Sequence, residues 1–469
     1  MTSVLLVTSN GTGMGHLIRM ASVAKSLQPE HDTTIFSLSL GLPVVLGLGL
    51  RGEYCPSHER GQIDRRYWES YLRDRLVAIA RETDASVVVF DGVAPYLGMG
   101  RARQALPDTA FVWLRRGMWR EGTGAMLRRS SFFDAIIEPG DLAGDADTGP
   151  TAGRDDAVKV SPISLIEVLD RLPRDEARAA LGLPAEGTVG LVTLGTGRLG
   201  DVAGPGAVAV DRILADESIH LAVTKWVTAD RDVPVTSRVT ELKGVFPLVR
   251  YLEAFDFAVS SAGYNAVHEL LPAGLPTLFV ANTATRTDDQ EARSRRLEEL
   301  GLALHARDDD PDTVGAKVGQ LLDPAVRRRL ADAASGTAGK MTGAREVAER
   351  ILALPHHANP DAIRQIEKAV RFQGLREAVK RALGERGTNL VRRILGRAPR
   401  PVGVRPRVRI VERPAIAPND GLVPLAFTEV ITADELLLGT PVEHLLSGSS
   451  DSYRRRRRDL IAKYYRVRG

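Results

Sequence analysis

The 469-residue sequence has little cysteine, few aromatic residues and no long apolar run. Cys55 is the only cysteine, which excludes an internal disulfide and a cysteine-based metal cage. Aromatic residues make up 5% of the chain, so the core must be built mainly from Ala, Val, Leu and Ile. The lack of a long apolar run argues against a membrane-spanning helix. The N-terminus shows neither a basic segment nor an extended apolar one, so we expect no signal peptide and a cytoplasmic protein.

The net charge of +4 is distributed unevenly. Residues 356–469 carry 23 Lys and Arg against 12 Asp and Glu, whereas residues 1–355 carry 40 against 47. The five arginines at 454–458 suit an anionic surface, so we expect peripheral contact with the inner face of the plasma membrane. A solvated basic terminus is the alternative. Nucleic acid is not an expected partner, because no recognised binding module accompanies the charge.

Apolar runs alternate with helical spacing in two successive blocks. Strands are predicted at 3–8, 33–38, 85–90, 109–114 and 135–137, and again at 188–194, 220–224, 257–260 and 277–280. Continuous apolar strands separated by amphipathic helices indicate parallel α/β sheets. We therefore predict an α/β protein with two tandem Rossmann-like domains. The domains are expected at 1–160 and 161–355, followed by basic helices at 356–398 and a basic extension at 399–469.

The first glycine loop, GTGMGH at residues 11–16, directly follows the first predicted strand. A dinucleotide-binding loop would have a third glycine where His16 stands, so that fingerprint fails. A histidine presented at the carboxyl edge of a parallel sheet suits a general base acting on a hydroxyl. The alternative is a histidine that is hydrogen-bonded to its own turn.

A second loop, GTGRLG at residues 195–200, does match the dinucleotide spacing. The next predicted strand, 220–224, has no carboxylate at its tip to bind a ribose, so no NAD(P) cofactor is expected. A glycine loop after a strand can still hold a diphosphate through its N–H groups.

Residues 260–276 predict a strand, a turn of small residues, a helix and a glycine stop. Asn265 and Glu269 are four residues apart and share one helix face, where Glu269 is placed to accept two ribose hydroxyls. An ordinary surface glutamate is the alternative. The next helix opens with Asp288, Asp289 and Gln290. Helix capping is a serious explanation for Asp288, whereas Asp289 and Gln290 suit sugar hydroxyls.

With these motifs the sequence resembles the GT-B glycosyltransferases, in the branch around the peptidoglycan N-acetylglucosaminyltransferase and other UDP-sugar transferases. The resemblance covers roughly residues 1–355 and is strongest from Phe246 to Leu302. It implies two domains facing across a cleft, no bound metal or cofactor, helices after the second domain that pack back on the first, and His16 as the catalytic base. The nucleotide-sugar residues that it implies are Gly13, Gly15, Gly195, Thr196, Phe246, Ser261, Gly263, Asn265, Glu269, Asp289 and Gln290.

Three further residues follow predicted strands of the first domain. Asp91 is predicted to pair with His16 in a catalytic dyad. Arg115 and Arg116 are predicted to bind an anionic acceptor, with surface arginines as the alternative.

These expectations together predict an inverting, metal-independent glycosyltransferase. It would move a sugar from a nucleotide sugar, UDP-linked such as UDP-N-acetylglucosamine, to a glycan or lipid-linked acceptor in envelope polysaccharide synthesis. Two alternatives stay open: a nucleotide-sugar epimerase of the same fold, and a non-catalytic protein that binds sugar nucleotides or polyanions.

Overall fold

The computed structural model describes residues 2–9, 14–58, 65–194, 203–225 and 237–355, together with 361, 363–368, 371, 372 and 375. The elements up to residue 160 are β1 (Ser3–Thr8), α1 (Gly15–Leu27), β2 (Asp32–Ser37), α2 (Leu42–Leu46), β3 (Arg51–Tyr54), α3 (Arg65–Glu82), β4 (Val87–Asp91), α4 (Leu97–Gln104), β5 (Ala110–Leu114), β6 (Ala135–Pro139) and β7 (Val158–Val160). Those that follow are α5 (Arg174–Leu181), β8 (Thr188–Thr193), α6 (Ala203–Leu214), β9 (Ile219–Lys225), β10 (Val239–Lys243), β11 (Phe257–Ser261), α7 (Tyr264–Leu270), β12 (Thr277–Ala281), α8 (Gln290–Glu299), β13 (Leu304–Arg307), α9 (Pro311–Leu322), α10 (Pro324–Ser335) and α11 (Gly343–Leu352).

The strands form two separate parallel sheets, one in each half of the described chain. The first has seven strands in the order β3-β2-β1-β4-β5-β6-β7, and the second has six in the order β10-β9-β8-β11-β12-β13. The central strands β4 and β5 are buried at every residue, because helices cover both faces of a parallel sheet. The predicted fold class, α/β with two tandem Rossmann-like domains, is confirmed.

Each sheet has a point where the strand order reverses, between β1 and β4 in the first sheet and between β8 and β11 in the second. Connections leave in opposite directions at such a point and open a crevice at the carboxyl ends of the strands. Asp91 ends β4 and pairs in register with Thr8 of β1. Ser261 ends β11. The fold therefore brings the predicted site residues to both crevices.

The chain returns to the first domain after the second sheet is complete. Helix α11 packs along α1, and its apolar face, Ala344, Val347, Ala348 and Ile351, is buried in the core of the first domain. Ile366 is fully buried in the same domain, against Gly100 and Phe132. The second domain is predicted to extend to residue 355, and α11 lies within that range but packs on the first domain.

The predicted extension at 399–469 lies outside the described residues, as does most of the segment 356–398. In the part of the chain that is described, no helix is long and apolar enough to cross a membrane.

Candidate active site

His16 and Asp91 meet at the crevice of the first sheet. His16 lies in the first turn of α1, and its Nδ1 is 2.7 Å from Asp91 Oδ1 at the end of β4. The Asp91 side chain is 2% exposed, whereas that of His16 is 15% exposed. The carboxylate is therefore shielded while the imidazole reaches the crevice.

Arg19, which the sequence analysis did not single out, completes this cluster. Its Nε donates to Asp91 Oδ2 at 2.8 Å and its Nη2 donates to Asp91 Oδ1 at 2.8 Å. Its guanidinium also lies over the ring of Tyr264 in the second domain, 5.1 Å from the ring centre. Arg19 is three residues after His16 and so shares its helix face. That spacing was the only signal in the sequence.

The geometry decides which nitrogen of His16 carries the proton. His16 Nδ1 lies 2.7 Å from Asp91 Oδ1, which can only accept, and 2.9 Å from Arg19 Nη2, which can only donate. The shorter contact with the carboxylate favours the tautomer with the hydrogen on Nδ1. Nε2 then holds the lone pair of the ring and is the atom that can act as a base. Burial lowers the pKa of His16, and the cations Arg19 and Arg116 lower it further against the opposing effect of Asp91. The imidazole is therefore neutral at neutral pH, as a base must be.

Burial raises the pKa of the Asp91 carboxyl, but the charges of Arg19 and His16 outweigh burial and bring the pKa below its ordinary value. Asp91 is therefore ionised when His16 takes up a proton, and it stabilises the imidazolium that forms.

On the second domain, α7 presents Asn265 and Glu269 to the same region. Asn265 Nδ2 donates to the backbone oxygen of Gly15 at 3.3 Å, which joins α7 to the start of α1. Asn265 Oδ1 and Glu269 Oε1 are buried and have no hydrogen-bond partner within the described chain. Burial raises the pKa of Glu269 to about 8. Buried oxygens without partners are unfavourable in a free protein and fit a site that a polar ligand completes.

Two other residues hold α7 against the segment that joins the domains. The Tyr264 hydroxyl donates to the Gly140 oxygen at 2.8 Å and accepts from the Ile163 amide at 3.0 Å. His268 Nε2 accepts from the Leu142 amide at 3.0 Å. These contacts fix the helix that carries Asn265 and Glu269. The sequence offered no means to find them, because each partner lies more than a hundred residues away.

The turn before α7 leaves open space at the predicted diphosphate site. A Cβ placed on Gly263 would meet only Ser261 Oγ, at 4.0 Å. Phe246 is partly buried between the cores of the two domains. Phe246 therefore lies between the two domains, and Ser261 and Gly263 lie at the turn from β11 to α7. Their role toward a nucleotide sugar stays a prediction.

The roles predicted for the start of α8 need correction. Asp289 is the helix cap, because its Oδ1 accepts from the Ala292 amide at 3.1 Å. Asp288 is instead an ion-pairing residue, with Arg293 Nη1 at 2.9 Å and Arg116 Nη1 also on its Oδ1. The Gln290 amide is occupied at both ends, by the Asn282 amide at 3.1 Å and by Asp288 Oδ2 at 3.2 Å. Gln290 is therefore engaged within the protein, and one carboxylate oxygen of Asp289 serves the cap.

The predicted acceptor role of Arg115 is wrong. Its side chain is fully buried and pairs with Asp156 Oδ1 at 2.8 Å and Glu138 Oε2 at 3.3 Å. Arg116 is also engaged, through Asp288 of the second domain. A short antiparallel backbone bridge between Trp119 and Asp288 lies beside this ion pair. The Arg116 side chain therefore connects the two domains and is not free to bind an anion through the same contact.

Three predicted residues, Gly13, Gly195 and Thr196, lie outside the described residues. Among the residues that are described, no cluster of three or more His, Cys, Asp or Glu side chains could hold a metal ion.

No protein-family model matches the chain. Over 191 residues it is 31% identical to the UDP-N-acetylglucosamine--N-acetylmuramyl-(pentapeptide) pyrophosphoryl-undecaprenol N-acetylglucosamine transferase of Salinibacter ruber (strain DSM 13855 / M31). That match covers 38% of this chain and 50% of the relative, so the chain spans about half the length of the curated protein it matches.

Solved structures resemble the chain over most of the described part. The glycosyltransferase SnogD from Streptomyces nogalater matches with a TM-score of 0.52 at 18% identity, over 75% of this chain and 99% of that one. The glycosyltransferase VinC in complex with dTDP matches with a TM-score of 0.52 at 16% identity, over 78% of this chain and 100% of that one. The spinosyn rhamnosyltransferase SpnG, complexed with thymidine diphosphate, matches with a TM-score of 0.51 at 16% identity, over 75% of this chain and 100% of that one.

The fold is that of the two-domain GT-B proteins. The chain resembles the glycosyltransferases of this class, and its sequence is similar to part of a peptidoglycan N-acetylglucosaminyltransferase. At 16–18% identity the solved structures establish the fold alone, since one fold supports many activities.

Proposed function

We propose that this protein is a glycosyltransferase that moves a sugar from a nucleotide sugar to an acceptor hydroxyl. The observation that carries the proposal is the meeting of two unlike sites. A neutral, oriented imidazole on α1 lies beside a helix of the other domain whose Asn265 and Glu269 oxygens are buried without partners. The first site suits proton removal, and the second suits a ligand rich in hydroxyls.

In the proposed reaction the acceptor hydroxyl hydrogen-bonds to His16 Nε2. The proton passes to Nε2 as the acceptor oxygen forms a bond to the anomeric carbon of the donor sugar. The bond from that carbon to the diphosphate oxygen breaks, and its electron pair leaves with the nucleoside diphosphate. Asp91 stabilises the imidazolium throughout. Attack on the face opposite the leaving group inverts the anomeric centre.

The donor is proposed to be UDP-linked, with UDP-N-acetylglucosamine as the first candidate. The name of the curated relative specifies UDP-N-acetylglucosamine. Two of the solved neighbours are complexes with thymidine diphosphate, so a dTDP-linked sugar is the rival donor in the test below. Glu269 is placed on the ribose, where two hydroxyls would supply the partners its buried oxygen lacks. The turn at Ser261 and Gly263 is open to the diphosphate. We propose that transfer needs no metal, so activity should survive EDTA.

The acceptor is proposed to be a glycan or a lipid-linked precursor used in envelope polysaccharide synthesis. The relative's name specifies a pyrophosphoryl-undecaprenol acceptor. The net positive charge of residues 356–469 supports peripheral contact with an anionic cytoplasmic membrane surface. Flotation of the full chain with vesicles that contain anionic lipid, compared with zwitterionic vesicles, tests that contact.

The test of the function begins with thermal shifts of the full chain in UDP, GDP, dTDP and their N-acetylglucosamine or hexose derivatives. We expect the largest stabilisation from uridine nucleotides, and Glu269→Ala should remove it. The exposed Glu186→Ala is the matched control. Transfer is then followed as UDP release with a panel of lipid-linked and soluble glycan acceptors. Release that depends on an acceptor supports the proposal, whereas interconversion of the UDP-sugar with no acceptor present would show an epimerase. Stabilisation by no nucleotide sugar would contradict the proposal.

A further inference from the structure

Arg19 occupies a position that neither the sequence motifs nor the proposed reaction explains. It is 2% exposed and lies on α1, three residues after His16. A buried arginine is costly unless its charge is paired and its donors are satisfied. Two of its donors point at the same carboxylate that orients the base.

We propose that Arg19 is the positioning residue of the base, the third member of a His16–Asp91–Arg19 triad that also couples base alignment to the second domain. The inference rests on the proposed function for its catalytic meaning. Its geometry consists of the forked contact with Asp91 and the stacking on Tyr264.

The forked contact fixes the rotation of the Asp91 carboxylate. Nε and Nη2 of Arg19 hold Oδ2 and Oδ1 at 2.8 Å each, which leaves Oδ1 directed at His16 Nδ1. Two parallel charge-assisted hydrogen bonds define a plane, which a single point charge cannot do. Without them Asp91 could turn about its side chain, and the imidazole would lose its fixed orientation.

The positive charge of the Arg19 guanidinium also opposes protonation of His16. Arg19 Nη2 lies 2.9 Å from His16 Nδ1, too close for a second proton to be added to the ring without repulsion. The charged groups that face His16 are Asp91, Arg19 and Arg116, and Asp288 of the second domain faces Arg19. Arg19 and Asp91 together are nearly neutral, so His16 stays unprotonated although a carboxylate lies beside it.

The stacking on Tyr264 links this triad to donor binding. Tyr264 begins α7, directly before Asn265, and its ring supports the guanidinium from the opposite domain. A change in the relative position of the two domains would therefore move Arg19 and alter the orientation of the His16 imidazole. The base is aligned when α7 is in the position that the structure shows.

The test compares Arg19→Met with Arg19→Lys, and Arg81→Met on the exposed end of α3 is the matched control. The His16 imidazole is titrated by NMR in the full chain, with His16→Gln used to assign its signal. We expect Arg19→Met to raise the pKa of His16 by about half a unit or more, because a neighbouring cation is lost. Arg19→Lys should keep that pKa near wild type, because it preserves the charge.

The kinetic readout separates charge from alignment. In the transfer assay, Arg19→Met should lower kcat about tenfold or more and move the acidic limb of the pH profile upward, with the donor KM within about twofold. Arg19→Lys should leave the acidic limb of the pH profile at its wild-type position. Its kcat should lie between those of Arg19→Met and the wild type, since a lysine cannot donate two parallel hydrogen bonds to one carboxylate. Unchanged His16 titration together with unchanged kcat in Arg19→Met would overturn the proposal.

Two further measurements cover failure of the single variant or of the proposed function. If Arg19→Met does not fold, Arg19→Met/Asp91→Asn removes both charges. The kcat of that double variant should equal the kcat of Asp91→Asn alone. If kcat falls further, by the same factor that Arg19→Lys causes, then Arg19 acts independently of Asp91. That result would overturn the proposal. If the wild type transfers no sugar, the proposed function fails, but the NMR titration still decides whether Arg19 controls His16.

Discussion

Replacing Glu269 with glutamine should stabilise the ligand-free protein, and the gain should grow as the pH rises. Burial raises the pKa of Glu269 from 4.5 to about 8 in the folded protein. A folded-state pKa above the unfolded value means that stability is fully present below pH 4.5 and is lost progressively as the pH rises from 4.5 to about 8. One pKa unit corresponds to about 1.4 kcal/mol, so the loss amounts to roughly 3 kcal/mol at pH 7. Glutamine cannot ionise and avoids this loss.

The assay is urea unfolding of wild type and Glu269→Gln at several pH values from 5 to 8.5. The two proteins should be nearly equal in stability at the acidic end. The difference in the free energy of unfolding should then increase by about 1 kcal/mol per pH unit until it levels off near the alkaline end. Glu186→Gln, at an exposed position, controls for loss of a carboxylate elsewhere. A stability difference that does not change with pH would refute the reasoning.

The same group links nucleotide binding to a proton. If ribose hydroxyls donate to an ionised Glu269, binding at pH 7 should release close to one proton, because most of the free protein carries the protonated form. Calorimetry of UDP binding in buffers of different ionisation enthalpy measures this release. Binding without proton release, or release that persists in Glu269→Gln, would place the ribose elsewhere.

Three other substitutions test separate parts of the structure. Asp288→Asn should cost about 3 kcal/mol in thermal unfolding, because it leaves the buried Arg293 without part of its counter-charge; a loss below about 0.5 kcal/mol would contradict this. Gly343→Ala should destabilise by roughly 1–3 kcal/mol, since a Cβ there would meet a backbone oxygen at 2.0 Å. Gly339→Ala, with nothing within 4 Å, should be close to neutral, and equal effects of the two would contradict the packing. Asp91→Asn should lower kcat by roughly 10²–10⁴ with little change in donor KM; loss through KM alone would show that Asp91 serves binding.

The interior strands of both sheets could be predicted from the sequence, and the edge strands could not. The buried strands read as continuous apolar runs, and the predicted range 3–8 coincides with β1. The four edge strands, β3, β7, β10 and β13, were missed. Each is short and partly exposed, as in β7 with two exposed residues out of three. Such segments lack the apolar run that marks a strand, because only one neighbour and part of one face bury them.

The candidate site could be proposed from the sequence where a local motif marks its residues. His16 after a glycine loop and the helical pair Asn265 and Glu269 are recognisable from spacing alone. Arg19 was not recognised, because no motif marks it on α1 and only the fold shows that it contacts Asp91. The cap considered for Asp288 lies instead at the neighbouring Asp289. A cap is decided by one local hydrogen bond, whereas Asp288 is held by Arg116 from the other domain.

The catalytic role of His16 is tested most directly by the rate of sugar transfer in His16→Gln at saturating donor. Glutamine preserves a polar side chain but cannot accept a proton as a base. We expect kcat to fall by about 10²-fold or more. The stabilisation by UDP should be unchanged, because Glu269 and Asn265 remain intact. His31→Gln, at the opposite edge of the first sheet, should behave as wild type. Transfer by His16→Gln at the wild-type rate would contradict the account.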